Sequence, residues 1–425
     1  MKRILTAVAC ASLALGLTAC GTTSPGTEPT GPVTLRMAIW DEVQMPAMQA
    51  LAKAFQDEHS SISIDIELTA FDQYWTKLET AATGKGAPDI FWTAPAYYQK
   101  YAANGIISDL TPLIERDSVS LEGIYPVLIE GFTFEDGLYA IPKDIDNIGL
   151  WYNKELFDQA GLAYPDGTWT WDTLLEAAKK LTDPEAGVWG IAAQGGDGKD
   201  RQSYYSTIPQ AGGEILRADG TSGYNTPEAI EGVRFWVDMI QTHKVSPSVD
   251  QMVDTEAQNL FMTGKVAMIY EGSWRAALFA GDDYISSRAD VAVLPKGSAG
   301  SQTSANGLGY SLYAESPNQE AAWEFLKFLA SPEASKIQAA NGTVIPAHQS
   351  EATTWVNSHP EYNLQAFIDM AADQADFLPV SIDSAVWRNE AKKVFQRAYL
   401  GETSVEEAAA TIAGFMDDAL AKERG

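Results

Sequence analysis

Val33-Thr-Leu-Arg-Met-Ala-Ile-Trp40 alternates apolar and mixed side chains with a period of two. That period predicts a β-strand, because successive side chains of a strand point to opposite faces. The next segment changes its period, since Met48, Leu51, Ala52 and Phe55 fall on one face of a helix. A strand followed at once by an amphipathic helix indicates an α/β unit.

The order of strand and helix continues along the chain. Ile62–Leu68 alternates again, a helix is predicted at 73–82, and Pro88–Trp92 predicts a short strand. This order favours parallel pairing with right-handed crossovers. Open sheets of this kind bind ligands beyond the carboxyl ends of their strands, and Trp40 and Trp92 are both predicted to lie there.

The rest of the chain is predicted to be mostly helical. Thr170 is a candidate N-cap, with Asp172 in the first turn of the helix that follows. Apolar runs at 266–270 and 291–294 predict buried strands, and helices are predicted at 171–181, 227–240, 319–330, 385–399 and 405–421. The chain is too long for one hydrophobic core, and the glycine- and serine-rich stretch 297–309 suits a crossing between two lobes.

The first 19 residues have the pattern of a signal peptide. Lys2 and Arg3 form a positive region, and the apolar run after them is too short to cross a bilayer as a helix. Leu-Thr-Ala-Cys20 followed by Gly21 resembles the bacterial lipobox, which predicts a lipidated Cys20 after cleavage. A plain secretion signal with an incidental cysteine is the alternative. Residues 20–32 contain no large apolar side chain and are predicted to form a flexible tether.

The composition narrows the range of partners. The net charge of −28 repels phosphate backbones, so nucleic acid is not an expected partner. Cys10 would leave with the signal and Cys20 would be acylated, so no disulfide is predicted. The chain has 12 tryptophans and 17 tyrosines, and their flat faces suit ligands that are half apolar and rich in hydroxyls, as sugars are.

Enzyme signatures are missing from the sequence. It contains no Gly-x-Ser-x-Gly, His-Glu-x-x-His or Walker motif, and its four histidines are scattered, so no metal or other cofactor is predicted. Asp144 and Asp146 would share one face of a strand, about 7 Å apart. The pair fits either the two carboxylates of a glycoside hydrolase or a binding role that accepts hydrogen bonds from sugar hydroxyls.

Several stretches stand in the order and spacing of one known family. They are Gly86–Trp92, Tyr139–Asp146 with Leu150–Leu156, Thr168–Leu181, Phe261–Met268, Gly272–Trp274 and Glu320–Ser331. Through them, residues 33–425 resemble the bacterial extracellular solute-binding proteins of carbohydrate ABC importers, the family that includes the maltose-binding protein.

The resemblance implies a set of ligand-binding residues. In this family three residues face the sugar: a tryptophan after the Pro-Asp-Ile strand, an acidic residue before the Tyr-Asn pair, and the tryptophan of Gly-x-Trp. Here they are Trp92, Asp146 and Trp274. A further stacking tryptophan is matched by Trp387. The full predicted set is Trp40, Asp41, Trp92, Asp144, Asp146, Tyr204, Glu271, Trp274, Trp387 and Arg388.

One stretch departs from the family, and several residues keep a second interpretation. Thr93-Ala94-Pro95-Ala96 replaces the acidic residue that the best-known member has just after the tryptophan, so a maltose specificity is not implied. The second interpretations are a lobe-core ring for Trp92 and Trp274, a helix-packing ring for Trp387, a surface tyrosine for Tyr204, and a merely structural carboxylate for Asp144.

The resemblance implies a two-lobe α/β fold of the type II periplasmic-binding-protein class. Each lobe would be a mixed sheet flanked by helices, with the ligand cleft between the lobes. The predicted divisions are a signal peptide at 1–19, a tether at 20–32, a first lobe of 33–143 plus 303–345, and a second lobe of 144–302 plus 346–425.

The function that the resemblance implies is transport without catalysis. The chain would capture a mono- or oligosaccharide by hinge closure and deliver it to the transmembrane subunits of an ABC permease. It is expected to be a monomer, held outside the cytoplasm at the cell membrane by a lipid on Cys20. The alternatives are a secreted glycoside hydrolase, and the same fold binding another solute such as a peptide, a polyamine or a metal complex.

Overall fold

A computed structural model describes residues 31–424 of the chain. The predicted signal peptide, Cys20 and the tether up to residue 30 lie outside the described residues. Within the described range, no helix combines the length and the apolar character that a membrane span requires.

The described residues form 14 β-strands and 18 α-helices, with four short 3-10 helices. The strands are β1 Val33–Ile39, β2 Ile62–Leu68, β3 Ile90–Thr93, β4 Thr133–Phe134, β5 Gly137–Leu138, β6 Ile141–Pro142, β7 Asp144–Ile145, β8 Ile148–Asn153, β9 Met268–Gly272, β10 Ala289–Ala292, β11 Thr303–Ala305, β12 Gly309–Leu312, β13 Ile345–Pro346 and β14 Ala375–Phe377.

The α-helices are α1 Met45–Glu58, α2 Phe71–Thr83, α3 Pro95–Ala103, α4 Thr111–Asp117, α5 Pro126–Gly131, α6 Lys154–Ala160, α7 Trp171–Leu181, α8 Tyr204–Gln210, α9 Pro227–Gln241, α10 Val249–Asp254, α11 Ala257–Met262, α12 Ala276–Ala280, α13 Gln319–Leu329, α14 Pro332–Ala340, α15 Ala352–Val356, α16 Gln365–Asp373, α17 Ser384–Tyr399 and α18 Val405–Glu423. The 3-10 helices are Glu42–Gln44, Gln194–Asp197, Ser273–Arg275 and Gln349–Glu351.

The first lobe is built on a five-stranded sheet in the order β2-β1-β3-β12-β6. β1 pairs in parallel with both β2 and β3, which confirms the parallel pairing predicted from the strand–helix order. β12 runs antiparallel to β3 and to β6. Apolar residues of β1 and β3 alternate between two cores, one beneath α1 and α13 and the other beneath α2 and α3. Helices therefore cover both faces of this sheet.

The predicted helical face of α1 is confirmed. Met48, Leu51, Ala52 and Phe55 are all buried against the sheet. Thr170 also has its predicted role, since its side chain accepts a hydrogen bond from the backbone N–H of Thr173 at 3.3 Å and caps α7. These local signals are strong because a helix face and a cap depend on residues a few positions apart.

The second lobe is built around β8, which pairs antiparallel with β9 on one side and β10 on the other. All six residues of β8 are buried, so this strand runs through the middle of a large core. Helices α7, α9, α17 and α18 pack around it with the apolar faces that their sequences predicted. The carboxyl end of β9 leads directly into the 3-10 helix Ser273–Arg275.

Three chain segments that run between the lobes lie side by side; we name them the crossing segments, 143–146, 306–308 and 345–347. The backbone N–H of Lys143 donates to Leu308 O, and that of Asp146 donates to Asn306 O, both at 2.8 Å. β13 pairs with β7, which adds the third segment to the other two.

The structure moves one predicted division. The sequence predicts the second crossing at 302–303, but β11, Thr303–Ala305, pairs with β14 of the second lobe. The Thr303 side chain also bonds the backbone of β8, accepting from Ile148 N at 3.0 Å. The change of lobe therefore falls at 306–308. The glycine- and serine-rich sequence around it has no period that marks where the pairing partner changes.

Candidate functional site

An aromatic wall lies at the carboxyl end of β1. Trp40 follows this strand directly and is half-buried. The ring centroids of Tyr74, Trp92, Trp75 and Phe71 lie 4.9, 5.1, 5.3 and 5.7 Å from that of Trp40. Phe71 keeps 52% of its surface exposed. We name Trp40 and Phe71 the first wall; Phe71 was missed because it stands at a helix start without any pattern around it.

Trp92 lies behind this wall instead of forming its surface. Its side chain is fully buried in the first-lobe core, and the Lys143 ammonium lies 4.5 Å from its ring centroid. Trp40 covers another side of the ring, edge to face. The structure thus places Trp92 in the first-lobe core, as its second interpretation has it, and contact between Trp92 and a ligand stays a prediction.

Asp41 is committed to the turn that follows Trp40. Its Oδ1 accepts from the backbone N–H of Val43 at 3.0 Å, and its Oδ2 accepts from Gln44 Nε2 at 2.9 Å. The half-buried carboxylate therefore caps the 3-10 helix Glu42–Gln44 and orients Gln44. Gln44 in turn accepts from Lys143 Nζ at 2.6 Å. Contact between Asp41 and a ligand stays a prediction.

Asp144 has a structural position. It is 1% exposed, and it forms an ion pair with Lys143, which is itself buried. Its other oxygen accepts from the backbone N–H of Leu308 at 2.8 Å. Both oxygens are thus used to hold two crossing segments together. The structure therefore gives Asp144 a structural role, and contact between Asp144 and a ligand stays a prediction.

The second wall begins at the carboxyl end of β9. Trp274 is half-buried and lies against Gly272, where an added Cβ would overlap its six-membered ring. Glu271 is 2% exposed, and its Oε1 accepts from Gly272 N at 2.9 Å and from Gln202 Nε2 at 3.2 Å. Trp274 and Glu271 are both in the predicted set, and the structure brings them together.

Replacing Gly272 with alanine is expected to displace the Trp274 ring. The new methyl group cannot share that space, and the strand backbone is fixed by its pairing with β8. We expect a stability loss of about 1–3 kcal/mol, as for other overpacked sites. Sugar titration followed by tryptophan fluorescence should show weaker binding. Gly414→Ala is the matched control, because nothing lies within 4 Å of its added Cβ; equal losses in both variants would contradict the prediction.

Arg201 joins the second wall to a crossing segment. Its guanidinium forms an ion pair with Asp146, and its central carbon lies 5.0 Å from the Trp274 ring centroid. Burial raises the pKa of Asp146, although Arg201 opposes this. We name Arg201, Gln202, Glu271 and Trp274 the second wall. Arg201 and Gln202 were missed, because they lie in an aperiodic loop and their partners are 55 and 69 residues away.

A second ion pair extends this loop. Asp200 accepts from Arg388 Nη2 at 3.2 Å, and the Arg388 guanidinium lies 5.2 Å from the Tyr205 ring centroid. Although burial opposes its ionisation, Arg388 and Lys392 hold the pKa of Asp200 below its ordinary value. Arg388 belongs to the predicted set. Its position next to Asp200 brings it to the same loop as Arg201.

Two predicted aromatics are placed inside the second-lobe core. Tyr204 is fully buried and packs against Tyr205 and Phe395, so burial raises the pKa of its phenol well above the ordinary value. Trp387 is fully buried as well, and its indole N–H donates to Ser381 Oγ at 2.9 Å. Neither offers a face to a ligand in this structure. Both sit on helices whose inner faces the core requires. Trp387 thus has the helix-packing position of its second interpretation, Tyr204 is not a surface tyrosine, and contact of either residue with a ligand stays a prediction.

The lobes meet along α3 and α17, at one side of the walls. Lys100 Nζ lies 4.0 Å from Asp383 Oδ1 and 3.2 Å from Glu79 Oε1. Burial raises the pKa of Tyr97, and the charge of nearby Arg388 opposes this shift. Tyr97 also stacks on Trp75 with ring centroids 3.7 Å apart. The aromatic side of the first lobe therefore reaches the charged loop of the second.

The carboxyl group of Asp197 has a pKa near neutral pH. Burial raises its pKa to about 7, and Lys199 opposes this. Because the folded-state pKa is raised, the contribution to stability is complete below about pH 4 and is lost as the pH rises through 7. Asp197→Asn should therefore gain stability over the native chain between pH 5 and pH 8, on the order of 1–2 kcal/mol.

Thermal unfolding at a series of pH values tests the Asp197 prediction. Asp219→Asn is the control of opposite sign, because hydrogen bonds from Thr221 lower the pKa of that exposed carboxylate. The control should lose stability at neutral pH or show no change. If the stability difference between the native chain and Asp197→Asn is the same at every pH from 5 to 8, the prediction is wrong.

The two walls lie on either side of the crossing segments, and together they offer mixed chemistry. Lys143 lies over Trp92 behind the first wall, and Asp146 pairs with Arg201 of the second. The residues next to the crossing segments therefore combine aromatic faces, guanidinium hydrogen-bond donors and carboxylate hydrogen-bond acceptors. No group of three or more His, Cys, Asp or Glu residues suited to a metal occurs among residues 31–424 as described.

The chain is similar to one family of known proteins. A family model described as "Bacterial extracellular solute-binding protein" matches residues 40–336. The chain is 26% identical over 382 residues to a putative binding protein of Brucella abortus, covering 88% of this chain and 89% of that one. It is 26% identical over 374 residues to an erythritol/L-threitol-binding protein of Mycolicibacterium smegmatis, covering 78% of this chain and 71% of that one.

A solved structure extends the likeness to the fold. An ABC substrate-binding protein from Listeria monocytogenes, solved in complex with cycloalternan, superposes with a TM-score of 0.85 at 26% identity. The match covers 92% of this chain and 99% of that one. The predicted two-lobe α/β fold is confirmed by this likeness, and each lobe has its own main sheet.

Proposed function

Because the chain belongs to the bacterial extracellular solute-binding proteins, we propose that it captures a sugar or polyol between its lobes and delivers it to an ABC permease. One observation carries the proposal: the half-buried Trp274 stands among Arg201, Gln202 and Glu271, next to the crossing segments. A flat aromatic face surrounded by charged donors and acceptors suits a ligand that is half apolar and rich in hydroxyls. Two similar proteins support this ligand class. One is named an erythritol/L-threitol-binding protein, and the other was solved in complex with cycloalternan.

Binding and closure would be linked by differential affinity. A ligand that touches both walls only when the lobes are together shifts the population toward that form. The crossing segments are the natural hinge, because they are the places where the chain passes between the two cores. The closed form would then be presented to the permease, and no step of this cycle needs covalent chemistry.

Glycoside hydrolysis is the competing function, and the carboxylates give it little support. Hydrolysis needs one carboxyl group as an acid and a second as a base or nucleophile. Both oxygens of Asp144 are bonded, to Lys143 and to Leu308 N. Asp146 is paired with Arg201. The pair that the sequence offered as catalytic is thus engaged in holding the structure, and we propose that the chain is not an enzyme.

A thermal-shift panel tests the proposed function. The purified chain is heated with monosaccharides, disaccharides, longer oligosaccharides and polyols, and a ligand at 100 times its Kd should add about 2.7 kcal/mol of stability. Peptides and polyamines form the comparison arm. Stabilisation by at least one sugar or polyol is expected. Stabilisation by none of them, or only by the comparison arm, would refute the ligand class. New reducing ends after incubation with oligosaccharides would show hydrolysis instead.

We further propose a membrane-anchored monomer outside the cytoplasm. The lipobox-like residues before Cys20 and the tether up to residue 32 support this proposal. In cells, the native chain should fractionate with membranes, and Cys20→Ala should appear in the soluble extracytoplasmic fraction. Mass spectrometry of the native N-terminus should show an acylated Cys20. An unmodified N-terminus at another position would contradict the anchor, and light scattering would reveal any dimer.

A further inference from the structure

One ion pair joins the two lobes away from the crossing segments. Lys100 Nζ on α3 lies 4.0 Å from Asp383 Oδ1 at the start of α17. Among the ion pairs of the described residues, this contact is the one that joins a helix of the first lobe to a helix of the second. A rotation of one lobe against the other therefore changes the distance between these two atoms.

The charges at this contact are divided unequally between the lobes. Lys100 Nζ also lies 3.2 Å from Glu79 Oε1, and Glu79 is on α2 of the same lobe. The distance from Lys100 to Glu79 does not depend on the angle between the lobes, whereas the distance to Asp383 does. Without the ammonium, one carboxylate of each lobe would be left at the contact, and like charges repel. Lys100 therefore converts a repulsion between the lobes into an attraction.

Asp383 has an oxygen that is free to accept a donor from the first lobe. Its Oδ1 is buried and has no hydrogen-bond partner among the described residues. Native proteins usually satisfy such groups, because a buried acceptor without a partner costs free energy. The ammonium of Lys100 is 4.0 Å away, which suits an ion pair but is too long for a hydrogen bond. A closer approach of the lobes would allow that bond to form.

The backbone that carries Asp383 is fixed by the last helix, α18. Glu423 accepts hydrogen bonds from Asp383 N at 2.9 Å and from Ile382 N at 3.1 Å. It also accepts from Ser381 Oγ at 2.9 Å, and the buried Trp387 indole donates to this same hydroxyl. Asp383 is thus held by contacts within the second lobe, so its backbone does not have to be ordered when the lobes approach each other.

We propose that Lys100 and Asp383 form an electrostatic latch, which favours the closed arrangement of the lobes and weakens as the ionic strength rises. The inference rests on the proposed function, to which it adds a regulation of solute capture by salt. The side chains of Lys100, Glu79 and Asp383 are between 37% and 42% exposed, so water still reaches the latch. Pairs with this exposure shift an equilibrium about two- to fivefold, and salt screens them.

The distance between two spin labels, measured by double electron–electron resonance on the ligand-free chain, tests the latch. Cys10→Ala and Cys20→Ala remove both native cysteines. Glu58→Cys on α1 and Glu231→Cys on α9, both at exposed positions, then place one label on each lobe. The distance distribution gives the ratio of closed to open lobes.

Lys100→Met is expected to lower the ratio of closed to open lobes about two- to fivefold in about 0.01 M NaCl. In about 1 M NaCl the Debye length is about 3 Å, so the difference from the native chain should disappear. The two chains are compared with each other because the net charge of −28 responds to salt in both of them.

Two more variants separate the latch from other effects of substitution. Asp383→Asn removes the same pair from the second lobe and leaves Lys100 with Glu79, so it should lower the ratio as Lys100→Met does. Lys85→Met is the matched control, since Lys85 pairs with Glu315 at 3.0 Å within the first lobe. The control should have the ratio of the native chain at both salt concentrations.

Three results would overturn the latch. They are a native chain without any closed population at low salt, an equal ratio in Lys100→Met and the native chain at low salt, and a difference that is as large at high salt as at low salt. Each of them leaves sugar binding untouched, because no sugar is present in these measurements. If the latch is found but no sugar or polyol stabilises the chain in the thermal-shift panel, the proposed function fails and the latch has no role in capture.

Discussion

Replacing Trp274 with alanine is expected to weaken the binding of whichever sugar stabilises the native chain by at least about 100-fold, which corresponds to about 2.8 kcal/mol. The half-buried indole is the aromatic face of the second wall, and the loss combines the apolar area that it would bury against the sugar with a stacking preference of about 0.5–1.5 kcal/mol. Arg201 would also lose the ring over which its guanidinium lies. Calorimetric titration of both chains with the same sugar measures the effect.

Trp189→Ala is the matched control for this prediction. Trp189 is half-buried and packs against the same second-lobe core as Trp274. It bonds Lys265 and pairs with Val266, so it lies before the start of β9, whereas Trp274 lies beyond its end. The control should lose stability without losing sugar affinity. If Trp274→Ala binds as tightly as the native chain, the second wall is not the binding surface.

Replacing Lys143 with methionine is expected to lower the free energy of unfolding by about 3–5 kcal/mol. Lys143 has no exposed side-chain surface, and its ammonium bonds both Asp144 and Gln44. Methionine has a similar length, but it would leave the buried Asp144 carboxylate without a counter-charge. Urea unfolding followed by circular dichroism measures the loss, and the 3–5 kcal/mol cost should fall substantially in the Lys143→Met/Asp144→Asn double variant.

Lys53→Met is the control for the buried pair. Lys53 and Asp57 form an i,i+4 ion pair on α1 with side chains 74% and 64% exposed. Such pairs contribute about 0–1 kcal/mol, so the control should unfold like the native chain. Equal stability of Lys143→Met and Lys53→Met would show that the crossing segments do not depend on this pair.

The sequence predicts the parts of the fold that depend on near neighbours. The α1 face from Met48 to Phe55 and the Thr170 cap need only a few consecutive positions, and both are confirmed. The crossing at 306–308 was placed too early, because it is set by the long-range pairing of β11 with β14. No local period could indicate where a strand exchanges one lobe for the other.

The candidate site also combines residues that the local sequence indicates with residues that depend on distant partners. Glu271 lies near the end of β9 and Trp274 just after it, and the apolar run 266–270 predicts most of this strand. Their contact with a ligand stays a prediction. Arg201 depends on a partner 55 residues away, so a single sequence carries no signal for it. Trp92 and Trp387 were in the predicted set but are fully buried. A tryptophan that fills a core and one that faces a ligand have the same local sequence. Burial places both rings in a core, and burial is a property of the assembled chain that a local sequence does not carry.

The place of β12 in the first sheet has a consequence for how the chain acquires its shape. β12 is inserted between β3 and β6, although the whole of β8, β9 and β10 separates it from them along the sequence. The sheet therefore has a gap until that late strand arrives, and a truncated product ending before Gly309 would expose unpaired edges of both neighbours. Closing such a long loop slows folding, so we expect β12 to pair late and the protein to fold slowly.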